Sequence, residues 1–183
     1  MRVYAPLDVH PAEADTARFN QQADGVFQAI HITAGVGLNA ALALRTVKAR
    51  ARPCGYWLSA ASGKAVERLR LHGVQVQRVL EAGAMLADSY RETSRTTVPR
   101  KDVRGVIVDA DKIIKVEVSL ARGVVDVPRG SYYVPLNQPF GNLAFAALEP
   151  DTQSSYFANQ LLDDLQSAAR VIAPHSVKLE ELP

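Results

Sequence analysis

Cysteine is all but absent from this 183-residue chain: Cys54 stands alone, so no internal disulfide can staple the fold. Its flanks read as a buried strand, which predicts an inert, small apolar side chain there. Neither sign of charge is in real excess, with 21 Lys+Arg against 19 Asp+Glu and a net charge of +2. That balance leaves no electrostatic footprint for nucleic acid. With 48% hydrophobic residues, it also excludes a disordered chain. The 11 Gly and 10 Pro follow no period, which excludes a collagen-like chain. Long apolar runs are missing too: the longest candidate, Ala34 to Leu44, is far too short to span a bilayer. Met1 to Pro6 carry no apolar leader run. A fragment cut from a longer secreted protein would look the same, so periplasmic, secreted and cytoplasmic parents are all compatible.

Several catalytic signatures are also missing. There is no Gly-x-Ser-x-Gly elbow and no phosphate loop ending in Lys-Ser or Lys-Thr. Gly35-Val36-Gly37-Leu38-Asn39-Ala40 matches the short glycine pattern of a dinucleotide turn, but no Asp or Glu occurs between Gly25 and Val66 to meet a ribose. The glycines are read as coincidence.

The chain that remains is rich in short apolar segments. Asp15 to Ile30 has Phe19, Val26, Phe27 and Ile30 at helix-like spacing. From Gly35 to Arg50 helix and strand fit almost equally, with strand favoured beyond Ala40. Pro53 to Leu58 reads as a strand. Lys64 to His72 reads as an amphipathic helix burying Val66 and Leu69, with Gly73 as the left-handed residue that ends it. Val74, Val76 and Leu80 resume a strand, so strand, helix and strand have the size of a βαβ unit. Ala84–Thr97, Val103–Asp109, Ile113–Leu120 and Val124–Val127 then read as short strands. Turns are expected at Pro99–Asp102, Asp109–Asp111 and Arg122–Gly123. Ile114, Val116, Val118 and Leu120 alternate with Lys115, Glu117 and Ser119, a period of two that predicts one buried and one wet face. Two helices are expected at the end. The first begins near Gln138 and Pro139 and stops before Pro150. The second is capped by Asp151 or Ser154, carries Phe157, Leu161 and Leu165 as its stripe, and reaches about Ile172.

These elements predict an α+β fold: a mixed, largely antiparallel β core with one βαβ-like unit and two C-terminal helices. Residues 1–34 read as an N-terminal segment or linker, 35–175 as a single domain, and 176–183 as an exposed tail.

The chemistry-bearing residues are sparse. His10 and Glu13 have a formal His-x-x-Glu spacing, but Pro11 and polar surroundings do not describe a rigid strand end. His72 falls in the last turn of a helix, where an imidazolium suits the dipole. Asp109/Asp111 and Asp163/Asp164 read as solvated pairs, the latter on a helix's outer face. Ser131, Ser154 and Ser155 have no patterned base. Arg45, Lys48, Arg50 and Arg52 form a basic cluster before Pro53. Spacing alone assembles no nucleophile, base and oxyanion donor.

Two blocks carry a resemblance. Arg52-Pro53-Cys54-Gly55-Tyr56-Trp57-Leu58 is the first. The second runs Val127-Pro128-Arg129-Gly130-Ser131-Tyr132-Tyr133-Val134-Pro135-Leu136-Asn137-Gln138-Pro139, with Leu148-Glu149-Pro150-Asp151-Thr152-Gln153-Ser154-Ser155-Tyr156-Phe157-Ala158-Asn159 as its continuation. Together, over about residues 45–172, they resemble the C-terminal, non-catalytic region of bacterial zinc carboxypeptidases of the carboxypeptidase A class. The resemblance implies an accessory domain with no zinc, substrate or base position of its own. Zinc is expected in an upstream metallopeptidase domain of the same polypeptide, and peptide substrate is met only indirectly. Under this reading Arg45, Arg50, Arg52, Tyr56, Trp57, Tyr132 and Tyr133 are the candidate interface or ligand face. The domain would form a lid or wall on the catalytic domain. A different class is an autonomous module for peptide or cell-wall fragments, met by the basic stretch. A third is zinc chemistry of the chain itself through His10, Glu13 and another His.

Overall fold

The computed structural model describes residues 18–21, 26–32, 44–99, 101–102, 105–106, 112–152 and 154–182. In chain order these form β1 (Arg18–Gln21), β2 (Val26–Ile32), β3 (Leu44–Ala51), β4 (Gly55–Leu58), α1 (Gly63–Leu71), β5 (Gln77–Val79), β6 (Gly83–Val98), β7 (Lys101–Asp102) and β8 (Gly105–Val106). They continue with β9 (Ile113–Val127), β10 (Tyr132–Pro135), α2 (Gly141–Leu148), a 3-10 turn (Leu165–Ser167), β11 (Ala168–Val171) and β12 (Leu179–Glu181). The sheets are antiparallel and two helices accompany them, an α+β architecture. The chain divides into two compact units, Met1–Ala51 with Arg100–Asp109, and Arg52–Pro99 with Ala110–Pro183. The expected boundary near residue 34, like the Gly35–Ala40 pattern, lies outside the described residues.

In the first unit β1, β2 and β3 form an antiparallel sheet with a bulge at Ala29/Ile30, and β7 pairs with β8. The helix expected over Asp15–Ile30 is therefore corrected to two strands where it is described. Val26, Ile30 and Ile32 are β-branched, and pairing on both sides of β2 satisfies backbone groups that a Gly-broken helix would satisfy poorly. Lys101–Asp102, expected in a turn, is a strand; of Val103–Asp109, only Gly105–Val106 is described. Asp109–Asp111 lies outside the described residues.

The second unit is built on a seven-stranded sheet in the order β12-β5-β10-β4-β11-β6-β9. α1 connects β4 to β5, but these two strands do not pair. β10 lies between them, antiparallel to both. The four residues of β4 and the four of β11 are all buried, so both faces of the sheet centre are covered. On one face Trp57, Tyr133, Ala169 and Val171 pack with Val79, Met85, Ala87 and Val127, and Val177 and Leu179 rest against them. The other face carries Tyr56 and Tyr90, whose hydroxyls reach the end of α2 at Glu149 and Leu148.

Helix α1 buries Ala65, Val66 and Leu69. It ends as expected: Gly73 takes φ +80, its amide bonds Arg70 O at 2.8 Å, and the Val74 amide bonds Leu69 O at 3.0 Å. Helix α2 starts at Gly141 rather than at Gln138, because Gln138 uses its side chain elsewhere. Its amide accepts from the Gln75 N–H at 2.7 Å and donates to the carbonyls of Gln75 and Pro135 at 3.0 and 2.6 Å. α2 stops at Glu149, which is extended (ψ 114) ahead of Pro150, as Pro requires of its predecessor.

The second C-terminal helix is corrected. One helical turn follows Ser155, whose Oγ accepts the Phe157 amide at 3.0 Å. Gln160 then takes φ +58, with Gln160 N bonded to Phe157 O and Leu161 N to Tyr156 O, the left-handed pattern that closes helices. Ala168–Val171, four residues of reasonable helix propensity, become a central strand between β4 and β6. Pairing on both edges and burial on both faces outweigh a propensity of tenths of a kcal/mol per residue.

Arg122-Gly123 is likewise not a turn: β9 runs unbroken from Ile113 to Val127, with Gly123 opposite Ala87. Beyond Tyr90, β6 and β9 continue as a ribbon with a bulge between Glu92 and Ser94. There Val116 and Val118 are buried while Lys115, Glu117 and Ser119 are exposed, as the period of two predicts. Phe157, Leu162 and Leu165 join Ile114 and Val116 around a cavity of about 80 Å³. At the tail, Leu179–Glu181 adds β12 to the edge of the sheet.

Candidate functional site

The residues singled out from sequence scatter across the structure. Arg45 lies on β3 opposite His31, and Arg50 opposite Phe27. Arg52 belongs to the second unit, where its Nη2 donates to the Leu136 carbonyl, and burial lowers its pKa. Tyr56, Trp57 and Tyr133 are 0%, 8% and 7% exposed. These three rings fill the core instead of presenting a face, because β4 and β10 are interior strands covered on both sides. Tyr132 is half-buried. Tyr133 meets the His175 ring edge-on, with centroids 4.6 Å apart, and burial pushes its phenol up to about 12.

Cys54 is exposed, contrary to the expected burial. It sits just before β4, where its backbone is tied to Val171 and Leu136 at 2.7 and 3.0 Å, leaving the side chain outward. Asp163 and Asp164 are solvated, on a turn in place of the expected helix face, and Asp164 Oδ1 accepts the Gln166 amide at 2.9 Å. Ser131 Oγ donates to the Pro128 carbonyl at 2.6 Å.

Zinc chemistry finds no set of donors among the described residues: no three His, Cys, Asp or Glu side chains converge there. His10 and Glu13 lie outside the described residues, and His72 is the C-cap of α1. His175 is half-buried with its Nδ1 unpartnered.

What the fold does bring together is a polar network that no sequence spacing announces. Glu149, 1% exposed, accepts on Oε1 from the Tyr56 hydroxyl at 2.6 Å and from Arg170 Nε at 2.7 Å. Arg170, 2% exposed, also faces Asp88, with Nη1 3.6 Å from Oδ2. Asp88 in turn accepts from Arg122 Nε at 2.9 Å and Nη2 at 3.4 Å. Two acids and two guanidinium groups balance, and only Arg122, 68% exposed, reaches water. The strands explain the assembly. Arg170 on β11 is in register with Tyr56 on β4 and Asp88 on β6, and Asp88 with Arg122 on β9. Glu149 enters from the end of α2.

The electrostatics follow from burial. Desolvation, and then the charge of Glu149, push the Tyr56 phenol well above its ordinary range. Burial opposes the charge on Arg170, but Glu149 and the two tyrosines outweigh it and raise its pKa. The Asp88 hydrogen bond raises Arg122. The 80 Å³ cavity and a shallow groove at Gly73–Val76 are lined by other residues. This network is therefore spent inside the fold, as a tie across four strands and a helix end. The signals for it were an Asp and an Arg inside apolar strands, Asp88 after Met85-Leu86-Ala87 and Arg170 after Ala168-Ala169; neither names its partner.

No family model and no solved structure matches the chain. Among curated proteins it is similar to Carboxypeptidase 2 of Trichophyton tonsurans, 30% identical over 112 residues, which is 61% of this chain and 20% of that protein. Carboxypeptidase 2 of Trichophyton equinum matches to the same extent, and that of Trichophyton rubrum is 30% identical over 110 residues. The chain thus spans about a fifth of the length of the curated relatives it matches, and it contains a carboxypeptidase-related region.

Proposed function

We propose that this chain is a non-catalytic accessory region of a zinc carboxypeptidase-type metallopeptidase, C-terminal to the catalytic domain as in the bacterial members it resembles. It would pack on that domain and shape the approach of peptide C-termini, while the catalytic domain holds the zinc. One observation carries the reading: a region similar to carboxypeptidases covers most of the chain yet only a fifth of those proteins. The fate of the buried ionic groups agrees with it, since Arg170 pairs with both Glu149 and Asp88 inside the fold. Of the four rings proposed as a contact face, Tyr132 keeps the most solvent access.

The test compares a metallopeptidase catalytic domain alone with the same domain joined to this chain, over peptides that vary at the C-terminal residue. A change in kcat/KM that depends on peptide size or shape is expected. Equal values across the panel would refute the lid role. Zinc-dependent peptide hydrolysis by the isolated chain would refute its non-catalytic character.

A further inference from the structure

β9 closes the seven-stranded sheet, with β6 on one side and no strand on the other among the described residues. Two hydrogen bonds establish which of its backbone groups face outward. The Ile172 amide donates to the Leu86 carbonyl at 3.1 Å, so Leu86 turns its backbone to β11 while Met85 and Ala87 turn theirs to β9. Their register partners Val125 and Gly123 therefore face inward, and alternation turns Leu120, Arg122, Val124 and Asp126 outward. Ile114 has the same parity, and its amide does leave the sheet, reaching the Ala158 carbonyl at 3.1 Å.

Outward N–H and C=O groups on a strand edge are a template for another strand. Two of the usual guards, Lys and Pro, are missing here from Leu120–Asp126. Val124 is 72% exposed and lies beside Leu86, itself 42% exposed. The charges are arranged symmetrically, with Arg122 two residues before Val124 and Asp126 two residues after.

From this symmetry we infer that two copies of the chain pair along β9, antiparallel, with Val124 opposite the same residue of the copy. That register sets Arg122 of each copy opposite Asp126 of the other, a favourable cross-strand pair. It forms about six backbone hydrogen bonds among outward-facing residues. It also aligns the two Leu86 and two Val124 side chains in one row over four strands about 4.8 Å apart. Arg122 already holds Asp88, yet it is 68% exposed and a guanidinium has five N–H donors, so the added acid does not compete. A shift of register by two residues loses both ion pairs, which makes a second copy the occupant that fits.

Sedimentation equilibrium of the whole chain over a wide concentration range tests the pairing. A concentration-dependent dimer is expected. Val124→Pro removes only an outward N–H, so it should weaken the dimer roughly 100-fold while leaving Tm nearly unchanged. Val125→Pro, whose N–H faces β6, should lower Tm. Asp126→Arg sets like charges opposite each other and should weaken the dimer about 10-fold, a readout that stands even if Val124→Pro fails to fold. A monomer at every concentration would overturn the inference and leave the edge to some other polypeptide. A dimer indifferent to Asp126→Arg, and to a folded Val124→Pro, would overturn it as well.

Discussion

Replacing Arg170 by Leu should be among the most damaging single changes in the second unit. The guanidinium is 2% exposed and stands between Glu149 and Asp88, themselves 1% and 4% exposed. Removing it takes the Nε–H donor from Glu149, which keeps its bond from the Tyr56 hydroxyl, and leaves Asp88 with Arg122 on the solvent side. Breaking a buried ion pair from one side costs about 3–5 kcal/mol, a large part of the roughly 5–15 kcal/mol that holds a domain folded. For a unit of this size that corresponds to a fall in Tm of about 10–20 °C. Trp57, the one tryptophan of the chain, lies in the core of this unit. Its fluorescence during urea unfolding therefore reports on the second unit without interference from the first. Replacing both partners, Glu149→Leu with Arg170→Met, should cost clearly less than the two single changes added together. If Arg170→Leu stays within about 1 kcal/mol of the parent, the network is not the tie that its burial implies.

Three further outcomes follow from the same geometry. Gly55→Ala would set a methyl 2.5 Å from the Tyr133 hydroxyl oxygen and 2.6 Å from the Val134 carbonyl; with backbone on one side, an overpacking cost of about 1–3 kcal/mol is expected in urea unfolding. Tyr133, raised to about 12 by burial, titrates above the unfolded value of about 10, so its stabilisation is present below pH 10 and is lost as pH rises toward 12. Tyr133→Phe should flatten that alkaline limb of a Tm-against-pH curve, and an unchanged limb would contradict the assignment. Burial lowers His175, so the unfolded chain takes up its proton first and stability falls as pH drops through about 6.5. His175→Phe, which keeps the edge contact with Tyr133, should reduce that slope.

Local order was legible where local physics decides it. The alternation from Ile114 to Leu120 predicted the buried and wet faces of the ribbon, Gly73 predicted the end of α1, and Pro150 the end of α2. Each depends on one residue's backbone freedom or on a period within one element. Ala168–Val171 failed as a helix and Arg122–Gly123 failed as a turn, because strands distant in the chain supply the partners that override short-range preference. The candidate face of Tyr56, Trp57 and Tyr133 went the same way. Aromatic composition cannot say whether a strand lies at the centre or the edge of a sheet, and β4 and β10 turned out to be interior.

By itself, then, the sequence determined an α+β chain with balanced charge, an alternating ribbon, two well-ended helices and a carboxypeptidase-like signature. Tertiary structure alone decided the strand order, and with it which polar groups meet. Glu149 and Arg170 are 21 residues apart, and Asp88 and Arg122 34 apart; burial makes such pairs obligatory, but only the register of four strands chooses the partners.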